Sequence, residues 1–266
     1  MTTRHRPRIL VLRAAGINCD EETAAAVELA GGEPDRVHVN RVAAGDPSLL
    51  DYAGLIIPGG FSYGDHLGAG KLLAIDLIHR LQEPLLRFIA ADRPVLGICN
   101  GFQVLVKAGL LPRTTPAAMP RQTVTLATNV HGHYECRWVR LAVDPRSPCV
   151  FTRGVDRMIE LPVGHGEGRL VAGDAVLDEL DRAHQVVVRY ADRAGDAAAD
   201  YPANPNGSAR AIAGICDAGG TVFGLMPHPD RAFLPELHPD WLRDRTRREG
   251  DGLQIFRNMV AYAGGV

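Results

Sequence analysis

Short unbroken apolar runs alternate with longer stretches of helical periodicity through the first half of the chain. RILVL (8–12), GLIIPGG (54–60) and PVLGI (94–98) are continuous apolar runs of strand length, the pattern of strands buried on both faces. VHVN (37–40) predicts another short strand. Between the first two, Asn18 and Asp20 are placed to cap an Ala-rich helix, EETAAAVELAGG, that stops at paired glycines. Leu72, Leu73, Leu77, Ile78 and Leu81 recur near helical spacing and predict a helix over roughly 70–91, with Pro84 as a kink. FQVLVKAGL (102–110) predicts a shorter helix closing at Gly109. Such alternation implies an α/β fold, a mostly parallel sheet with helices on both faces.

After residue 112 the texture changes. Segments 123–128, 135–143, 157–163, 169–172 and 186–190 predict shorter strands divided by turn residues, a small antiparallel extension beside the main sheet. DRAGDAAADYPANPNGS (192–208) is a polar loop. ARAIAGICD (209–217) and TVFGLMP (221–227) predict a hairpin or neighbouring strands, and GLQIFRNMVAYA (252–263) an amphipathic helix. The expected organisation is a single domain spanning 1–266.

Composition narrows the function more than the fold. An apolar fraction of 46% supports a full core without disulfides or metals. The net charge of −2, from 29 basic and 31 acidic residues, leaves no electrostatic footprint for nucleic acid or an anionic membrane. The basic patch RDRTRR (243–248) is interrupted by Asp244 and Thr246 and reads as a solvated helix or loop face. No targeting segment and no membrane span is expected. Five cysteines without paired spacing fit a reducing cytoplasm, and the question becomes which thiol is reactive.

Gly97-Ile98-Cys99-Asn100-Gly101 supplies the answer. An apolar strand runs into Gly-x-Cys-x-Gly and a helix follows at once, the strand–turn–helix setting of a nucleophile elbow. Glycines flank the turn because a Cβ there would strike the strand or the helix. The sulfur is presented at the carboxyl edge of the sheet, at a helix N-terminus that stabilises negative charge, with the Asn100 amide available to an oxyanion. A buried cysteine packed as a small hydrophobe is the commoner fate of this residue type. The full elbow outweighs it at Cys99 and leaves it standing for Cys149 and Cys216. Cys19 also opens a helix but lacks the strand and glycine. His131, His133 and Glu135 share one face of a strand while Cys136 points away, so no metal site is expected there.

A cysteine nucleophile needs a base, and the base an orienting acceptor. Met226-Pro227-His228-Pro229-Asp230 follows a strand, and in an extended segment His228 and Asp230 lie on one side. The competing base is His165 in GHGEG (164–168), a glycine-flanked loop that no strand end frames.

GICNGFQ, PGGFSYGD (58–65), ANPNGS (203–208) and MPHPD, with LRAAGINCDEET, ECRWVRL (135–141), VGHGEGR (163–169) and GLQIFRNMV, occur in order over nearly the whole chain. Together they resemble the class I (triad) glutamine amidotransferases, and within them the glutaminase subunits that serve phosphoribosylformylglycinamidine synthases of de novo purine synthesis. The resemblance implies a flavodoxin-like fold and a triad carried by Cys99, His228 and position 230. This sequence departs from the family there, with Asp230 in place of glutamate, keeping the charge and losing a methylene of reach. It also implies oxyanion amides at Gly60, Phe61 and Asn100, and a glutamine-holding role for Gln103, for which a plain helix-surface amide is the alternative.

The chemistry so implied is hydrolysis of glutamine to glutamate and ammonia through a Cys99 thioester. No metal or cofactor is expected in this chain, since Gly68-Ala-Gly70-Lys71 lacks the phosphate-loop spacing. ATP and Mg are expected on a partner, the formylglycinamidine ribonucleotide synthetase large subunit, with a small third subunit as an optional member. The isolated chain is expected to be nearly inactive until docking orders the oxyanion loop. Two rivals remain at this point: a stand-alone γ-glutamyl cysteine hydrolase, and a catalytically silent binding subunit permitted by Asp230.

Overall fold

The computed structural model describes residues 6–113, 120–156 and 158–265. The first apolar run forms β1 (Arg8–Arg13), followed by α1 (Asp20–Leu29). The next strand, β2 (Glu33–His38), shares only Val37 and His38 with the expected 37–40, and Val39 and Asn40 instead open the short helix α2 (Val39–Ala43). Apolar alternation could not reveal β2, because it is the solvated edge of the sheet. An edge strand also tolerates Pro34. Neither Asn18 nor Asp20 caps α1: Cys19 holds that position, and Asp20 pairs with Arg13 and Arg36 at 2.9 and 3.2 Å.

β3 (Gly54–Ile57) and β4 (Val95–Ile98) are fully buried, as their unbroken apolar runs require. The helix expected between them is two, α3 (Lys71–Arg80) and α4 (Gln82–Ala90), broken at Leu81. Pro84 lies in the first turn of α4, where its missing N–H leaves no bond unmade, so it starts a helix instead of kinking one. α5 (Asn100–Lys107) follows β4 directly.

The later strands are β5 (Val124–Ala127), β6 (Glu135–Val143), β7 (Ile159–His165), β8 (Arg169–Ala172), β9 (Val186–Ala191), β10 (Ile212–Cys216) and β11 (Val222–Leu225), and α7 (Leu253–Ala263) comes after them. Of the strand expected over 157–163, position 157 lies outside the described residues. A further helix, α6 (Asp174–Arg182), went unread in the sequence; it buries only Leu177 and Leu180, too few apolar positions to announce it. The basic stretch 243–248 lies in a loop, where Arg247 reaches back to Asp251 at 2.8 Å.

One sheet has the order β2-β1-β3-β4-β11-β10-β9-β6-β7, and β5 and β8 form a separate ribbon. Pairings from β2 to β11 are parallel, and those from β11 to β7 are antiparallel. The sheet curls far enough for its edge strand β7 to return to the carboxyl end of β11, where Pro162 O accepts the His228 N–H at 2.8 Å.

Helices cover both faces of the parallel half. A Cβ on Gly54 would meet Met259 of α7, whereas one on Gly97 would meet Leu105 of α5. Gly97 pairs with Gly224, whose own Cβ would lie 2.1 Å from Phe102. This floor of paired glycines lets α5 sit unusually close to the sheet. Gly101, in the first turn of α5, faces the Ile57 carbonyl so closely that a Cβ would fall 1.8 Å from its oxygen. Backbone cannot yield there as a side-chain tip can. Gly101→Ala is therefore expected to lower unfolding free energy by more than about 2 kcal/mol in chemical denaturation.

Candidate active site

The nucleophile elbow forms as expected. Cys99 adopts φ 50° and ψ −103°, a strained conformation for a residue with a Cβ, and serves as the N-cap residue of α5. Its N–H donates to Leu225 O at 2.8 Å, tying the elbow to β11. Its Sγ lies 3.6 Å from Gly164 O, at the end of β7.

Ile98 and Leu225 are register partners at the carboxyl ends of neighbouring parallel strands, so the segments leaving them enter one space. His228 leaves β11 almost fully buried. Its Nδ1 lies 3.2 Å from Asp230 Oδ1. The contact does not arise from extended-chain alternation, because residues 229–231 form a 3₁₀ turn that folds the carboxylate back beneath the ring. Aspartate thus reaches the imidazole despite its shorter side chain. Burial opposes charge on His228, but the Cys99 thiolate and the Asp230 carboxylate outweigh it and hold the ring well above the ordinary histidine value.

Two residues flank this group: Cys19, set aside in the sequence for lacking the elbow, and Thr23, unread there. The Cys19 sulfur accepts from Arg231 Nη2 at 3.0 Å and lies beside the imidazole. Thr23 Oγ1 donates to Asp230 Oδ2 at 3.1 Å. Cys19 is the N-cap of α1 and Thr23 lies in its first turn, and no local pattern links them to residues more than two hundred positions away. Gly59 is the floor beneath the ring: a Cβ there would fall 2.6 Å from His228 Cε1 and 3.2 Å from the Cys19 sulfur.

The loop 58–65 approaches from β3. Phe61 N–H donates to Gly16 O at 2.9 Å, so of the two loop amides expected at the oxyanion the Phe61 one is already committed. Asn100 locks this loop to the elbow, accepting from Ser62 N at 3.2 Å and donating to Asp65 Oδ1 at 3.1 Å. Gln103 is buried and not a surface amide. Its Nε2 donates to Glu167 O at 2.6 Å while its Oε1 accepts from Asn100 at 2.9 Å, so it pins the 164–168 loop to α5.

His165 does end a strand, β7, contrary to its reading as an unframed loop residue. Its Nδ1 faces Asn129 Oδ1 at 3.2 Å and its Nε2 faces Asn206 Nδ2 at 3.4 Å. These partners fix the neutral ring with its proton on Nδ1. Burial, then the positive charge of His228, pushes His165 down to about 4. It is thereby unsuited to hold a proton at neutral pH.

His131 and His133 do gather on Glu135, at 3.7 and 3.2 Å, with Cys136 exposed elsewhere. Their rings stack at 3.7 Å, so the ring nitrogens run side by side, and Arg137 takes the second carboxylate oxygen. Arg137 and Glu135 form an ion pair at the centre of this group. No helix among the described residues is long and apolar enough to cross a membrane.

A thiol at a strained elbow, beside a buried imidazole backed by a carboxylate, defines a cysteine-dependent acyl-transfer site on an α/β sheet. The chain belongs to the glutamine amidotransferases: the family model for the CobB/CobQ-like glutamine amidotransferase domain matches residues 6–263. Within that class it is similar to the phosphoribosylformylglycinamidine synthase subunit PurQ of Dehalococcoides mccartyi, 46% identical over 96% of this chain and 97% of the relative. The PurQ subunit of Methanococcus maripaludis is 41% identical over 96% of this chain and 97% of its own length. The solved structure of PurLQS from Thermotoga maritima matches with a TM-score of 0.70 at 32% identity, covering 97% of this chain and 99% of that one. A glutamine amidotransferase from the same organism, 14% identical with a TM-score of 0.55, shares the fold.

The neutral state of His165 has a consequence for stability. Between its unfolded value of 6.5 and its folded value of about 4, the unfolded chain binds the proton and the native one does not. Stability contributed by this residue is therefore full above 6.5 and lost as pH falls toward 4. The loss is expected to approach about 3 kcal/mol at its limit. Urea titrations across this window should show the fall in the parent chain and a flatter profile in His165→Asn.

Proposed function

We propose that this chain is the glutaminase subunit of a cytoplasmic phosphoribosylformylglycinamidine synthase, supplying ammonia to a synthetase subunit that makes formylglycinamidine ribonucleotide. The observation that carries this reading is the convergence of Cys99 and His228 at adjacent strand ends, in a chain alike to PurQ subunits over nearly its full length. The Cys99 thiolate attacks the side-chain amide carbon of glutamine. The Gly60 and Asn100 amides hold the oxyanion. The His228 imidazolium gives its proton to the departing nitrogen, which leaves as ammonia. His228, now neutral, takes a proton from water, and the hydroxide formed cleaves the γ-glutamyl thioester. Glutamate departs, with the thiolate and imidazolium restored. Asp230 holds the ring and balances its charge; Gln103 shapes the glutamine site through the Glu167 carbonyl.

Ammonia freed into water becomes ammonium and loses its nucleophilicity, so the reaction is useful only beneath a docked synthetase, which carries ATP and Mg, with a small third subunit in the assembly. The Phe61 amide is committed to Gly16, so it joins the oxyanion site only if that strand-like contact opens. Docking of the synthetase supplies that rearrangement, and the chain alone is nearly inactive.

In the reconstituted complex, Cys99→Ala is expected to abolish synthesis from glutamine and to spare synthesis from added ammonia, measured as amidine formed. Loss of both would make Cys99 structural. The raised His228 value sets a second expectation. Its proton is retained at neutral pH and lost as pH rises, so glutaminase kcat falls on an alkaline limb above the ordinary histidine value. Asp230→Asn removes one of the charges that hold the proton and should shift that limb to lower pH.

A further inference from the structure

Asp230 is completely buried, and its two carboxylate oxygens are divided between two partners. Oδ1 lies 3.2 Å from His228 Nδ1, and Oδ2 accepts from Thr23 Oγ1 at 3.1 Å. Thr23 is itself completely buried in the first turn of α1, its N–H bonded to Cys19 O at 3.1 Å. The torsion that turns a carboxylate is broad, so one partner alone does not fix which oxygen faces the ring. A threonine hydroxyl in a helix can also turn back onto the carbonyl four residues earlier. Here it points across the fold to Asp230. A competitor for the imidazole lies alongside, because the Cys19 sulfur occupies the same flank of His228, held there by Arg231 at 3.0 Å.

We propose that Thr23 is a positioning residue for the reaction, anchoring Oδ2 so that Oδ1 stays beneath His228 Nδ1 and the ring keeps Asp230, not Cys19, as its acceptor. The inference rests on reading Cys99, His228 and Asp230 as the reacting group. It explains how aspartate serves here: the 3₁₀ turn supplies the reach, and the hydroxyl supplies the direction. Through the ring it fixes which nitrogen carries the mobile proton, and so acts on turnover and not on glutamine affinity.

The test compares Thr23→Val, which keeps the shape and removes the hydroxyl, with Thr23→Ser, which keeps the hydroxyl, in the reconstituted complex. Cys99→Ala is the control and Asp230→Asn the second background. Thr23→Val is expected to lower kcat on the order of tenfold with KM for glutamine within about twofold, and to move the alkaline limb to lower pH. Thr23→Ser should keep kcat within about threefold of the parent, and Thr23→Val should add less than about twofold in the Asp230→Asn background. The proposal is overturned if Thr23→Val retains parental kcat, if Thr23→Ser loses as much as Thr23→Val, or if the valine penalty is undiminished without the Asp230 carboxylate. Glutaminase turnover surviving in Cys99→Ala would instead bring down the reaction itself, and the role of Thr23 with it.

Discussion

β4 and β11 run parallel and in contact, with Ile98 opposite Leu225 and the Cys99 N–H closing onto the Leu225 carbonyl. That pairing brings position 99 to within reach of position 228. The side-chain period of a strand is two, so a slip of one residue would turn the elbow toward the opposite face. The register is guarded by bulk and by its absence. Gly97 and Gly224 sit side by side beneath α5, and moving either strand by one place would drive a larger side chain into Phe102 or Leu105. The close fit of one helix on one pair of strands thus specifies the address of the sulfur.

The rest of the site is assembled around this pair by loops that hold one another. Asn206 donates to Gly168 O at 2.9 Å and to the Tyr190 hydroxyl at 3.1 Å, and Ser208 Oγ accepts from Leu170 N at 3.0 Å. Asn129 bonds the His165 carbonyl at 2.9 Å and the Gly168 amide at 3.1 Å. The ANPNGS segment, polar enough to pass for a solvated loop, is therefore largely buried scaffolding for the residues 164–168. Those residues in turn touch the nucleophile through Gly164 and α5 through Glu167. The curl of the sheet makes this possible, because it returns edge strand β7 to the end of β11.

What was legible in the sequence follows from where each signal is stored. The buried parallel strands and the elbow are local: an unbroken apolar run and a Gly-x-Cys-x-Gly carry their own geometry, and both were read correctly. The edge strand β2 and the helix α6 bury too little to leave a period. The split of α3 from α4 turned on whether Pro84 lay inside a helix or at the start of one, which spacing does not distinguish. The approach of Asp230 to His228 was anticipated, but for the wrong backbone, since a turn and not an extended segment makes it. Thr23 and Cys19 were invisible as partners of the site, because nothing nearby in the chain marks a bond to the far end of the fold. Gln103 could have been suspected of burial from its place among apolar neighbours in α5.

Two imidazoles, His165 and His228, lie close enough to feel each other's charge, and their surroundings settle them oppositely. Burial and the charge of the second keep the first uncharged, with a carboxamide at each of its nitrogens; a thiolate and a carboxylate flank the second and favour its charge. At neutral pH the two imidazoles together therefore hold one proton. A second cation beside the sulfur would offer an alternative resting place for the negative charge that develops on substrate. Keeping that neighbour blank is how two asparagines, neither of them able to ionise, take part in deciding where the proton resides.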